Sequence, residues 1–148
     1  MTCKSPIDII TTSATPDSNG LLFNYSGGDY TSALGSNANI PFIKLTPKKN
    51  KNTVTYKKNT YTLTELRLYK NSIHTIDGKF FAGELVMMHT SDTNLKLFIC
   101  IPVSLTTDIN KSSFGTILKK TPSTDNISPK TFIPTSNTFY SYYGTNLY

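Results

Sequence analysis

Tyr61-Thr62-Leu63-Thr64-Glu65-Leu66-Arg67-Leu68-Tyr69 is the longest stretch of this 148-residue chain in which apolar and polar residues alternate. Alternation with a period of two marks a strand that keeps one face on a core. Similar but shorter runs lie on both sides of it. Upstream, Lys57-Lys58-Asn59 reads as a turn and Thr53-Val54-Thr55-Tyr56 as a strand. Lys48-Lys49-Asn50-Lys51-Asn52 is a second polar turn, preceded by a strand at Pro41-Phe42-Ile43-Lys44-Leu45. Residues 29–39 are rich in Ser, Gly, Asn and Ala and read as loop, after a strand at Leu21-Leu22-Phe23-Asn24-Tyr25. Downstream, Glu84 to His89 and Leu95 to Val103 are two more apolar strands. Ser112 to Lys120 has the spacing for one short helix, and Thr121 to Asn137 reads as ordered loop. The aromatic cluster Phe139, Tyr140, Tyr142 and Tyr143 is expected to return to the core.

Composition agrees with a mainly β reading. Thr, Ser and Asn contribute 23, 15 and 13 residues, which suits strands broken by turns and leaves no persistent heptad for a coiled coil. The hydrophobic fraction of 37% and aromatic fraction of 11% suffice for one core, so the whole chain, 1–148, is expected to be a single domain. No apolar run approaches the ~18 residues of a membrane-spanning helix. The N-terminus has no apolar core of the kind a secretory signal needs, so synthesis in the cytosol is the expectation. Cys3 and Cys100 have no metal-ligand spacing, and Cys100 sits in the apolar run Leu97-Phe98-Ile99-Cys100-Ile101, where a thiol serves as a small hydrophobe.

The net charge is +6, from 15 Lys and Arg against nine Asp and Glu. Lys48, Lys49, Lys51, Lys57 and Lys58 concentrate on the two turns that flank one short strand. Lysine favours diffuse attraction to sulfate, phosphate or acidic partners over base reading, so an anionic polysaccharide fits better than a specific nucleic acid. The same lysines also serve as solvated guards of a strand edge.

Three separated segments resemble the α-class carbonic anhydrases. Ser5-Pro6-Ile7-Asp8-Ile9 is similar to the family's Ser-Pro-Ile/Val-Asp/Asn-Ile entry. His74-Thr75-Ile76-Asp77-Gly78-Lys79, followed by Ala82-Gly83-Glu84-Leu85, resembles its His-Thr-Val-Asp-Gly-Lys and Ala-Glu-Leu segment. Phe139-Tyr140-Ser141-Tyr142-Tyr143-Gly144-Thr145 resembles its Tyr-Trp-Thr-Tyr-x-Gly-Ser segment. The resemblance implies a large, twisted, mostly antiparallel sheet with few short helices. It also implies that the family domain continues past Tyr148, so that the chain is either a fragment of a longer protein or an incomplete domain whose sheet is expected to be completed by neighbouring subunits.

The family's catalysis rests on zinc held by a His-x-His on one strand and a third His on the next. Here those positions are Arg67, Tyr69 and Val86, so the resemblance implies no zinc cofactor, no catalytic residues and no CO₂ hydration. The acidic residue that the family places before the retained His is Ile73, and its Thr partner aligns with Tyr148. Ser5, His74, Glu84 and Tyr142 match a buried polar network behind the metal site. Glu84 loses its usual histidine partner to Val86, and Arg67 is the expected replacement, with Glu65 as the other carboxylate in reach. His74 and His89 are expected to be structural.

Inactive relatives of this family are virion surface proteins of poxviruses that bind sulfated glycosaminoglycans. One Arg against 14 Lys, with abundant Asn, Ile and Tyr, suits an AT-rich viral genome. The sequence therefore points to a non-catalytic virion or minor capsid protein of a large DNA virus, assembled in the host cytoplasm among other subunits. Three alternatives remain: a cytoplasmic carbonic-anhydrase-related protein that binds another protein, a glycosaminoglycan-binding attachment protein, and a different enzyme in the same pocket.

Overall fold

A computed structural model describes residues 3–4, 6–49, 51–104, 127–136 and 138–145. Eleven strands follow in chain order: β1 (Cys3–Lys4), β2 (Asp8–Ile9), β3 (Leu21–Asn24), β4 (Tyr30–Asn37), β5 (Ile40–Pro47), β6 (Thr53–Tyr56), β7 (Asn59–Lys70), β8 (Thr75–Ile76), β9 (Gly83–Ser91), β10 (Lys96–Val103) and β11 (Gly144–Thr145). Seven form one antiparallel sheet. Its main path is β10-β9-β7-β5-β4, and β6 joins the N-terminal half of β7 to β3. The only parallel pairs among the described residues are the two-residue contacts β1 with β11 and β2 with β8. No described helix is long and apolar enough to cross a membrane.

The alternation of β7 is interrupted, and this places the two cores. Its register against β9 shifts between Leu63 and Glu65, a bulge at Thr64, whose hydroxyl donates to the Met88 carbonyl at 3.0 Å. One extra residue moves the following side chains to the opposite face. Leu63 therefore shares a core with Leu66 and Leu68, together with Leu45, Leu85 and Met87. Glu65, Arg67 and Tyr69 emerge on the other face, where Tyr69 packs with Phe42 and Val86. Strict alternation would have put Leu63 with Arg67.

Residues 29–39, expected as loop, contain the eight-residue strand β4. Its small polar side chains have weak strand preference, and pairing along its whole length with β5 overrides it. Ala38 and Asn39, both at positive φ, make the two-residue turn between them. Gly35 has a local purpose: a Cβ there would stand 2.6 Å from the Phe42 ring, which therefore lies flush on β4. Pro129–Phe132 is one 3₁₀ turn within the segment read as loop, and Phe132 is buried in the larger core. The helix expected over 112–120 lies outside the described residues.

The aromatic C-terminal segment is held by Asp17. Tyr56 Oη and Ser141 Oγ both donate to Asp17 Oδ2, and the Asp17 backbone N–H donates to the Phe139 carbonyl at 2.8 Å. These bonds hold the Asp17 carboxyl well below the usual range.

Candidate functional site

The face of the sheet opposite the larger core carries one row of functional side chains, set by register. Lys44, Arg67, Val86 and Cys100 stand side by side across β5, β7, β9 and β10. Phe42, Tyr69 and Glu84 form the next row. Arg67 is ion-paired with Glu65, two residues earlier on the same face, and both side chains are largely covered. Its guanidinium carbon lies 4.6 Å from the centre of the Phe42 ring. Burial works against the charge on Arg67, but the hydrogen-bonded Glu65 carboxylate and the neighbouring Tyr69 outweigh it and raise its pKa. Arg67 does not replace a lost partner of Glu84; its ion pair is with Glu65.

Glu84 has its own partners. Its Oε2 accepts the backbone N–H groups of Ile73 and His74, at 2.8 and 2.9 Å. Its Oε1 lies 2.6 Å from His74 Nδ1. A carboxylate only accepts, so Nδ1–H donates and Nε2 accepts the Tyr142 hydroxyl proton at 2.7 Å. Burial pushes the Glu84 carboxyl upward, but the His74 ring and the two backbone donors outweigh it and hold the carboxylate ionised. The structure thus brings together His74, Glu84 and Tyr142. Ser5 lies outside the described residues. Ser72 braces the same loop: its hydroxyl donates to the His74 carbonyl and accepts the Phe81 N–H.

His89 occupies the other core. Its Nδ1 faces the carbonyls of Met87 and Leu97 at 3.1 and 3.3 Å and so carries the proton. Its Nε2 accepts from the Tyr25 hydroxyl at 2.6 Å. Burial depresses its pKa to about 4, although the two carbonyls oppose the shift.

The five lysines of the two turns are exposed, but they do not share one patch. Lys48, Lys49 and Lys51 precede β6, while Lys57 and Lys58 follow it, about 13 Å away at strand rise. Lys57 and Lys58 have φ of 47° and 66°, so lysines fill a turn geometry that favours Asn-Gly. Lys57 Nζ sits 5.1 Å from the centre of the Tyr56 ring and 5.7 Å from that of Tyr143. We expect Lys58→Gly to raise stability by about 1 kcal/mol, because glycine adopts positive φ freely. Equilibrium urea unfolding measures it, and an unchanged or lower midpoint would show that the turn is unstrained.

No family model and no curated sequence matches the chain. Solved structures do match. An α-carbonic anhydrase from Photobacterium profundum aligns over 90% of this chain and 62% of its own, with a TM-score of 0.72 and 20% identity. Carbonic anhydrase Cah3 from Chlamydomonas reinhardtii, in complex with acetazolamide, aligns over 88% and 59%, with a TM-score of 0.70 and 20% identity. Dioscorin complexed with ascorbate aligns over 87% and 56%, with a TM-score of 0.67 and 18% identity. The fold is that of the α-carbonic anhydrases. The chain spans about six-tenths of the length of these structures.

Within the carbonic anhydrase fold, the positions that the sequence resemblance assigns to zinc ligands are 67, 69 and 86. They lie together on β7 and β9, with Arg67 directly opposite Val86. Their chemistry does not fit zinc. Arg67 is a cation already paired with Glu65, Val86 has no donor atom and is wholly buried, and Tyr69 is a single phenol packed against Phe42 and Val86. The sequence reading missed one neighbour of this site. Cys100 Sγ lies within 4.8 Å of both a His74 ring nitrogen and a Glu84 oxygen. Only the β9–β10 register brings it there, and an apolar run in sequence carries no such signal.

Proposed function

We propose that this chain is a non-catalytic carbonic-anhydrase-like module that works by binding other protein subunits, as a virion component of a large DNA virus. The observation that carries the non-catalytic part is Arg67, ion-paired to Glu65 where the fold would need a zinc-binding imidazole. With Val86 beside it, no metal-bound water is generated at this position, and CO₂ hydration has no nucleophile. We expect CO₂ hydration in stopped flow to run at the buffer rate with zinc added. Zinc-dependent acceleration by the purified chain would overturn the reading.

The binding part draws support from β10. Among the described residues β10 pairs only with β9, and it carries Leu97, Phe98, Ile99 and Ile101 along that edge. An apolar strand with one open edge is a template for an added strand. The viral assignment draws on the lysine- and asparagine-rich composition with its single Arg. Mass spectrometry of purified particles tests it: recovery at fixed stoichiometry supports a virion subunit, and recovery only from infected-cell cytosol rejects it. The exposed lysine turns favour, as a second reading, attraction to an anionic polysaccharide. Heparin should then retain the chain to higher salt than a cation exchanger of equal charge density.

A further inference from the structure

The polar network beneath the Arg67 position includes a donor set that the fold's zinc positions lack. His74 offers an imidazole nitrogen, Glu84 a carboxylate oxygen and Cys100 a thiol sulfur, all within 4.8 Å of one another. They come from the loop after β7, from β9 and from β10, so only the folded sheet assembles them. We propose that His74, Glu84 and Cys100 form a binding site for a thiophilic divalent metal such as Zn²⁺, beside the lost ligand positions: Cys100 shares the row of Arg67 and Val86, and Glu84 that of Tyr69.

Three features of the chain support the site. Nitrogen, oxygen and sulfur together are a donor set that zinc and cobalt take readily. A thiolate and a carboxylate neutralise a divalent cation, which a buried site requires because an unbalanced charge is costly there. The far nitrogen of His74 is held by the Tyr142 hydroxyl at 2.7 Å, and such a bond to the non-ligating nitrogen orients a metal-binding imidazole.

Binding needs a small rearrangement with a defined proton balance. Two ligands at ~2.0 Å on one tetrahedral metal stand about 3.3 Å apart. The present separation of His74 Nδ1 and Glu84 Oε1 is 2.6 Å, so metal entry opens this contact. The Nδ1 proton is lost and Nε2 gains one, which turns Tyr142 from donor to acceptor. Cys100 gives up its thiol proton to solvent as the sulfur–metal bond forms, while Glu84 stays ionised. One proton is released per metal. Without metal, burial and the neighbouring Glu84 raise the Cys100 pKa well above its ordinary value, so the thiol keeps its proton.

Cobalt(II) titration of the chelator-treated 148-residue chain tests the site. The expected result is one equivalent bound, with a thiolate-to-cobalt charge-transfer band, one proton released in weak buffer, and displacement by zinc. Cys100→Ser, a near-isosteric change that leaves the fold intact, should abolish the band and weaken zinc binding by at least about 100-fold, while Cys3→Ser should retain both. Tyr142→Phe should weaken binding by roughly 10-fold through the freed imidazole. Absence of the band from the unaltered chain, or a band and zinc affinity that survive Cys100→Ser, would overturn the assignment. These readouts are independent of hydratase activity, so the site stands or falls apart from the non-catalytic reading.

Discussion

Glu84→Ala is expected to cost about 3–5 kcal/mol of stability, the largest effect of any single change in the polar network. Glu84 is 1% exposed and accepts three hydrogen bonds, from the backbone N–H groups of Ile73 and His74 and from the His74 ring. Alanine leaves all three buried donors without their acceptor, and an orphaned buried donor costs more than its bond contributed. Glu84→Gln should cost far less, about 1–2 kcal/mol. The amide oxygen can face the two backbone donors and its NH₂ the His74 ring. His74 then changes tautomer, so that Nδ1 accepts and Nε2–H donates to Tyr142. Urea denaturation of the two variants checks this. Equal losses for Ala and Gln would show that charge, not the set of acceptors, is what the network needs.

The second large effect is a loss of stability in mild acid. His89 is fully buried and neutral, with its pKa depressed from 6.5 to about 4. In the unfolded chain this histidine takes up a proton near pH 6.5, whereas the folded chain resists until about pH 4. The unfolded state therefore binds more protons through this window, and stability rises with pH across it. His89's contribution is complete above pH 6.5 and is lost as the pH falls toward 4. The shift corresponds to about 3 kcal/mol over the full window. Glu84, Asp17 and Asp77 have carboxyl pKa values that are depressed in the fold, so their contributions hold above the unfolded carboxylate range and fade only below it. The carboxyls therefore stay out of the window between pH 6.5 and 4.5 in which His89 acts. His89→Gln should flatten that segment of the profile. A flat profile in the unaltered chain would mean that His89 takes up its proton in the fold as readily as in the unfolded chain.

The order of strands and turns was largely legible along the chain. Alternation in Thr53–Tyr56 and Tyr61–Tyr69, and the apolar runs at Glu84–His89 and Leu95–Val103, correspond to β6, β7, β9 and β10. Polar lysine turns separate the first of these because backbone that reverses direction stays in water. The donor-poor trio Arg67, Tyr69 and Val86 was legible too, because side-chain chemistry is a property of residue type. Tertiary structure decided the rest. β4 formed from a segment of weak preference because its ladder with β5 supplies hydrogen bonds that local sequence does not encode. The bulge at Thr64 chose which face of β7 carries Leu63, since one unpaired residue inverts the register of everything after it. Glu84 took His74 and two backbone donors as partners, leaving Arg67 to Glu65, because a buried carboxylate is satisfied by the nearest donors in space. Cys100 reached that network through β9–β10 pairing alone. Residue type sets what each side chain can do, but distance between strands sets which of them meet.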